Sequence, residues 1–166
     1  MMVAPALIIA IGNESRGDDA LAPLLLRELD TWLTEIKKSQ IELLEDFQLQ
    51  VEHAVDLLER ELVLFIDAGI DTAAPYSFNR IQPDNGQVLF SHALAPETVL
   101  ATYVQVYRQE PPPAFVLCLR GEQFELGKGL SARATSHLQA AGTFMRKLLQ
   151  KTSPAAWDEH TTNSLT

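Results

Sequence analysis

The stretch Leu7-Ile8-Ile9-Ala10-Ile11-Gly12-Asn13-Glu14-Ser15-Arg16-Gly17-Asp18-Asp19 decides the fold class of this chain. It opens with a run of five apolar residues closed by a glycine, which is typical of a strand buried on both faces of a sheet. A loop bounded by Gly12 and Gly17 follows. We expect a helix to begin near Asp18, which can act as its N-cap. Strand, loop and helix in this order predict the start of a βαβ chain.

The rest of the chain continues to alternate between strand and helix patterns. We predict further strands at residues 41–44, 62–66, 75–83 and 115–119, and helices at residues 51–60, 96–108 and 131–151. The alternation predicts a single three-layer α/β/α domain, residues 1–151, with a mostly parallel sheet. Residues 71–96 contain one strand and no clear helix, so we expect the 75–83 strand to run antiparallel, at or near a sheet edge. The polar residues 152–166 are predicted to form a flexible tail.

Composition excludes several classes of function. The chain has 166 residues and a formal net charge of -9, which argues against nucleic acids and anionic membranes as partners. The apolar N-terminal run is short and lacks a basic flank, and no segment reaches membrane-spanning length, so the expected location is the cytoplasm. The single cysteine, Cys118, cannot form a disulfide within the chain and is expected to be a small buried hydrophobe.

Three residues lie where a βαβ chain would open a site. Asp19 follows the first loop, Asp67 comes directly after the 62–66 strand, and His92 precedes the 96–108 helix. Ligands of open α/β sheets bind outside the carboxyl ends of the strands. Two carboxylates and one imidazole there could hold a divalent metal or perform acid–base chemistry. Each residue also has a purely structural interpretation. Asp19 could be an acid that favours a helix N-terminus, Asp67 could cap a turn, and His92 could be a surface histidine.

Other chemistry finds less support in the sequence. The 12–17 loop has neither a G-x-G-x-x-G nor a Walker pattern, and its acids are unsuited to phosphate. H-E-x-x-H, C-x-x-C and G-x-S-x-G motifs are also missing. His53, His137 and His160 have no obvious partner and stay unassigned.

The motifs together resemble the hydrogenase maturation endopeptidases, which trim the large subunit of nickel–iron hydrogenases. Ile11-Gly12-Asn13 with Arg16-Gly17-Asp18-Asp19 resembles the first family motif, and Phe65-Ile66-Asp67-Ala68 resembles the second. Ser91-His92-Ala93-Leu94 resembles the third, and residues 124–131 resemble the last loop of the family. The resemblance extends from residue 7 to about residue 149.

The resemblance implies a five-stranded twisted sheet and a nickel site at Asp19, Asp67 and His92. It implies an endopeptidase that removes the C-terminal extension of a hydrogenase large-subunit precursor. The nickel would arrive in the precursor, so that cleavage tests whether the metal has been inserted, and no organic cofactor is expected. Asn13 and Arg16 would shape the mouth of the site. A monomer in transient complex with its precursor is the simplest expectation.

Some residues depart from the family pattern. Asp19 stands where many relatives carry Glu, which shortens the reach of the ligand without changing its type. Residues 46–50 lack the Gly-Thr loop of part of the family, which predicts a different substrate preference. Two alternatives therefore stay open: a module of the same fold that binds nickel-loaded precursor without cutting it, and a small-molecule hydrolase that uses Asp19 and Asp67 as acid–base groups.

Overall fold

The computed structural model describes residues 3–84 and 94–162, and a five-stranded sheet forms its centre. The strands are β1 (Ala6–Ile11), β2 (Ile41–Asp46), β3 (Leu62–Gly69), β4 (Tyr76–Ile81) and β5 (Ala114–Arg120). Their order across the sheet is β2-β1-β3-β5-β4. Strands β2, β1, β3 and β5 are parallel to one another, and β4 pairs antiparallel with β5 at the edge. The predicted mostly parallel sheet with one antiparallel edge strand is confirmed.

Helices cover both faces of the sheet. They are α1 (Leu21–Glu35), α2 (Pro96–Tyr107), α3 (Ala132–Leu148), α4 (Pro154–Asp158), and two 3-10 helices, Gly17–Ala20 and Val51–Leu57. Side chains of β1 alternate between two cores: Ile8 packs with α1, α3 and α4, while Leu7 and Ile9 pack with α2 and the second 3-10 helix. This arrangement confirms the predicted three layers.

The connection between β2 and β3 differs from its prediction. The sequence pattern of residues 51–60 predicts an α-helix, and the structure has the shorter 3-10 helix Val51–Leu57 instead. The side chains of Gln50 and His53 each accept from the other's backbone N–H, which closes the first turn at the i, i+3 spacing of a 3-10 helix.

The C-terminal segment also differs from the flexible tail expected over residues 152–166. Pro154 begins the short helix α4, and the side chain of Trp157 is 1% exposed. Its ring lies 5.4 Å from that of Phe115 and 6.1 Å from that of Phe78, both in the core, and its Nε1 donates to the Lys151 carbonyl at 3.0 Å. The residues around Trp157 are mostly polar, so the sequence pattern does not indicate that this side chain is buried. The domain therefore extends beyond residue 151 through the described part of the segment.

Within the described ranges, no helix is both long enough and apolar enough to cross a membrane.

Candidate active site

Two of the three predicted site residues lie at the same edge of the sheet. β1 and β3 are parallel neighbours, with Ala10 in register with Ile66, so their carboxyl ends point the same way. Asp19 follows β1, and Asp67 lies near the end of β3. The prediction ended this strand at Ile66, whereas β3 continues to Gly69, so Asp67 is a strand residue paired in register with Cys118 of β5.

Asp19 is held by the turn that precedes it. The Asn13 N–H donates to Asp19 Oδ2 at 2.7 Å, and the Asp19 N–H donates to the Arg16 carbonyl at 3.1 Å. Partial burial raises the pKa of the Asp19 carboxyl, while the Asn13 hydrogen bond and the Arg16 charge oppose the rise. The turn thus fixes the direction of the Asp19 carboxylate. Its Oδ1 has no hydrogen bond among the described residues.

Asp67 has the more strongly perturbed environment. The pKa of its carboxyl is raised to about 6. Burial is the main cause, the Ala68 N–H, which donates to Oδ1 at 2.8 Å, opposes the rise, and the nearby charge of Asp19 adds to it. Asp19 and Asp67 line the same cleft, so their charges act on each other. Two acids that repel each other in a partly dry cleft can be satisfied together by a divalent cation.

A cleft of about 440 Å³ contains both carboxylates. Apolar side chains make up much of its wall, among them Phe47 and Ile70, whose exposed fractions are 69% and 55%, and Phe124. The cleft thus combines two acids with large apolar surface that water can reach. This combination suits a site that receives part of a macromolecule.

The third predicted residue, His92, lies outside the described residues. Leu94 and Pro96, where the described chain resumes, line the same cleft. Among residues 3–84 and 94–162, no group of three or more His, Cys, Asp or Glu side chains could hold a metal ion. The described part of the chain thus contains two of the three residues predicted to be ligands, Asp19 and Asp67.

Asp18 has a role that sequence reasoning missed. Its predicted role as the N-cap of the first helix is wrong, because α1 begins at Leu21 and its N-cap position, Ala20, makes no side-chain cap. Asp18 is instead completely buried and accepts hydrogen bonds from residues 122–131. Burial raises the pKa of the Asp18 carboxyl, but these hydrogen bonds outweigh it and the pKa is lowered overall. Its partners lie more than 100 positions away, so no local pattern signals them.

His53, unassigned from the sequence, supports another wall of the cleft. It is 6% exposed; its Nδ1 accepts from the Gln50 N–H at 2.8 Å, and its Nε2 lies 3.2 Å from Oδ2 of Asp46. Asp46 Oδ1 in turn accepts from the Phe47 N–H at 2.7 Å. The network fixes the loop of residues 46–50, from which Phe47 reaches the cleft.

The two other unassigned histidines do not line the cleft. His137 Nδ1 lies 2.8 Å from the Arg120 carbonyl oxygen, and the ring of His160 packs at 6.1 Å from that of Phe144.

Cys118 lies beside Asp67 on the neighbouring strand. Burial raises the pKa of its thiol, and the charge of Asp67 raises it further. A thiol with a raised pKa is a poor nucleophile, because the thiolate is the reactive form. The environment of Cys118 therefore favours the structural role expected from the sequence.

A larger cavity of about 700 Å³ lies on another part of the surface. Residues around the amino end of β5 line it, including Pro111 to Pro113, Arg80 and Arg108. Glu110 is its only acidic residue among those described, so it lacks the paired carboxylates of the Asp19–Asp67 cleft. The chemistry of the side chains, not the size of the cavity, identifies the candidate site.

Comparison with solved structures shows which proteins have a similar fold. No family model and no curated protein matches the sequence. The hydrogenase maturation protease HycI from Thermococcus kodakarensis KOD1 superposes with a TM-score of 0.69 at 18% identity, over 89% of this chain and 94% of that one. The hydrogenase maturating endopeptidase HybD from E. coli gives 0.65 at 18% identity, over 90% and 93%. A hydrogenase 2 maturation peptidase from the Thaumarchaeota archaeon SCGC_AB-539-E09 gives 0.63 at 18% identity, over 87% and 97%.

The chain is thus an α/β/α domain with a pair of acids at the carboxyl ends of parallel strands. Its fold is the one shared by the hydrogenase maturation proteases.

Proposed function

We propose that the protein is an endopeptidase that removes the C-terminal extension of a nickel–iron hydrogenase large-subunit precursor after nickel insertion. Asp19, Asp67 and His92 bind the nickel that the precursor carries. The observation that supports this most is the joint presence of Asp19 and Asp67 in one cleft of a maturation-protease fold. No organic cofactor is part of the proposal.

The donor set suits the proposed metal. Nickel accepts carboxylate and imidazole ligands, and two carboxylates with one imidazole leave coordination positions for groups of the precursor. The raised pKa of Asp67 fits as well, because burial and the Asp19 charge both disfavour its ionised form, and a cation between the acids would relieve that cost.

Placing the metal in the substrate makes cleavage conditional on maturation. A precursor without nickel lacks the ion that bridges the two proteins and loses binding energy at the reacting centre. The ion can promote hydrolysis by polarising the scissile carbonyl or by activating a water molecule. In either role, this chain contributes ligands that hold the ion and an apolar wall that holds the peptide.

The apolar wall gives this chain its own substrate preference. Residues 46–50 place Phe47 in the cleft, where part of the family resembled by the sequence has a Gly-Thr loop. We therefore propose that the client is a precursor with an apolar segment next to the cleaved bond. Complex formation is transient, with the protein acting as a monomer in the cytoplasm.

Incubation with matched nickel-loaded and nickel-free precursor, followed by intact-mass measurement, tests the proposal. Loss of a C-terminal peptide from the loaded form alone is the expected result. Asp71→Asn serves as a control variant, because Asp71 is an exposed acid just beyond β3 and does not line the cleft. A stable complex with loaded precursor that is never cut would instead support the non-cleaving module, and indifference to both forms would support a small-molecule hydrolase.

A further inference from the structure

The carboxylate of Asp18 joins two segments that are distant in the chain. Its Oδ2 accepts from the backbone N–H groups of Glu122 at 2.7 Å and Gln123 at 3.1 Å, and from the Ser131 hydroxyl at 2.8 Å. Its Oδ1 accepts from the Ser131 N–H at 2.8 Å. The side chain is 0% exposed, and none of the ion pairs among the described residues involves it. Backbone and hydroxyl donors therefore compensate the buried charge.

The main chain reinforces this junction. The Asp18 N–H donates to the Gln123 carbonyl at 2.7 Å, the Gly17 N–H to the Lys128 carbonyl at 3.0 Å, and the Gly127 N–H to the Ser15 carbonyl at 2.8 Å. Residues 121–131 form no helix or strand of their own. Their shape therefore depends on the turn that carries Asp18 and Asp19.

Two glycines permit the close approach of these segments. Gly17 has a φ of +57°, and a Cβ there would lie 2.3 Å from the Gln123 carbonyl oxygen. A Cβ at Gly121 would lie 2.9 Å from Cβ of Asp18 and 2.7 Å from the ring of Phe124. Phe124 thus lies over Gly121, next to Asp18, and its ring also lines the cleft.

The neighbouring acid does not depend on this junction alone. Asp19 has separate support from the Asn13 N–H and from the Arg16 carbonyl. Loss of the Asp18 contacts should therefore release residues 121–131 and the Phe124 wall first, and leave the Asp19 carboxylate close to its place.

We propose that Asp18 is a positioning residue: it holds residues 121–131 so that Phe124 forms part of the precursor-binding wall of the cleft. These roles rest on the proposed function. Asp19 binds the metal of the substrate, and its neighbour Asp18 shapes the surface that receives the peptide. Asp18 touches neither the metal nor the reacting bond.

Asp18→Asn tests the proposal with almost no change in size. Every donor around Asp18 points at an oxygen, so either orientation of the amide places its NH₂ group against a backbone N–H. In the free protein, we expect the amides of Glu122, Gln123 and Ser131 to exchange with solvent about ten- to a hundredfold faster. With nickel-loaded precursor, KM should rise about tenfold or more, and kcat should stay within about threefold.

Ser131→Ala is the milder variant in case Asp18→Asn does not fold. It removes one of the four bonds to Asp18 and also the N-cap of α3, since the Ser131 hydroxyl accepts from the Ala134 N–H. Ser153→Ala removes an equivalent cap from α4, whose residues do not line the cleft, and is the matched control. We expect faster exchange at Glu122 and a higher KM in Ser131→Ala only, and Ser131→Thr, which keeps the hydroxyl, should restore both.

Either of two results would overturn the inference. One is unchanged amide exchange over residues 121–131 in a folded Asp18→Asn or Ser131→Ala protein. The other is a loss of kcat at unchanged KM, which would place Asp18 in the chemistry. The exchange measurement needs no substrate, so it still decides the role of Asp18 in the loop if the wild-type protein leaves every precursor intact and the proposed function fails.

Discussion

At the scale of single residues, three acids in and around the cleft differ because their surroundings differ. Asp18 is buried among donors that lower its pKa, whereas Asp19 and Asp67 are partly buried with few donors and have raised pKa values. Groups that are costly to ionise in the free protein often mark functional sites. This contrast separates a structural acid from the two proposed ligands.

Asp67→Asn is predicted to stabilise the protein while abolishing processing. The folded-state pKa of Asp67, about 6, lies above its ordinary value of 3.8, so ionised Asp67 disfavours the folded state. The cost is complete above pH 6, shrinks as the pH falls and is absent below about pH 3.8. We expect the variant to gain about 1–3 kcal/mol in free energy of unfolding at pH 7.5.

Urea denaturation at pH 7.5 and pH 4 measures this gain. The exposed Asp30 of α1 offers a control, Asp30→Asn, that should show no comparable gain. An Asp67→Asn protein that is less stable than the wild type at pH 7.5 would show that the carboxylate is satisfied within the free protein.

Cys118→Ala is predicted to leave processing intact. The thiol has a raised pKa, and the half-buried side chain packs against Gly69, so the nickel-loaded precursor should be cut at a rate within about threefold of the wild type. Intact-mass time courses check this. Loss of cleavage in a folded Cys118→Ala protein would show that the thiol takes part.

The roles of these acids could be predicted from the sequence for Asp19 and Asp67 but not for Asp18. Asp19 and Asp67 could be located because each follows an apolar run, and the ends of parallel strands meet at one edge. Asp18 was assigned to a helix cap because acids favour that position locally, while its real partners lie 104 to 113 positions away. A contact between distant segments leaves no periodic signal. The pairing of His53 with Asp46 spans only seven positions, but it crosses an irregular loop, so neither helix nor strand periodicity signals it.

At the scale of elements, loops at the carboxyl ends of the strands build the cleft around a rigid sheet. Residues 47–50 follow β2, the Asp19 turn follows β1, and residues 121–131 follow β5. Each loop has its own hydrogen-bond support: His53 and Asp46 hold the first, Asn13 holds the second and Asp18 holds the third. The strands β1, β3 and β5 were predictable because each contains an apolar run, whereas the shape of each loop depends on specific side-chain contacts.

His53→Phe is predicted to loosen the 46–50 loop. The variant keeps a ring but removes the acceptor of the part-buried Gln50 N–H and the contact with the Asp46 carboxylate, at a cost of about 0.5–1.5 kcal/mol in free energy of unfolding. Urea denaturation measures the loss, and exchange of the Gln50 amide locates it. His160→Phe, which keeps its ring contact with Phe144, is the control. Unchanged Gln50 exchange would contradict the assigned network.

At the scale of the whole molecule, the core and the candidate site are separate. Two apolar cores lie on the two faces of the sheet, and the acids lie at its carboxyl edge. Variants of the site should therefore change activity without unfolding the protein. The C-terminal segment belongs to the first core, since Trp157 packs with Phe78 and Phe115.

Trp157→Ala is predicted to cost about 3–5 kcal/mol in free energy of unfolding, because it empties a large buried volume. Urea denaturation measures the cost. Phe47→Ala removes another aromatic ring, but one that is 69% exposed, and should change stability by about 0.5 kcal/mol or less. Equal stabilities for the two variants would mean that the C-terminal segment does not close the core.

The most direct test of the central claim compares the processing of nickel-loaded precursor by Asp19→Asn, Asp67→Asn and the double variant, with Asp71→Asn as control. Because the two carboxylates are proposed to bind one ion, each single variant should lose about a hundredfold or more in rate, and the double variant should be little worse than either. A folded single variant that cuts the precursor as fast as the Asp71→Asn control would contradict the account.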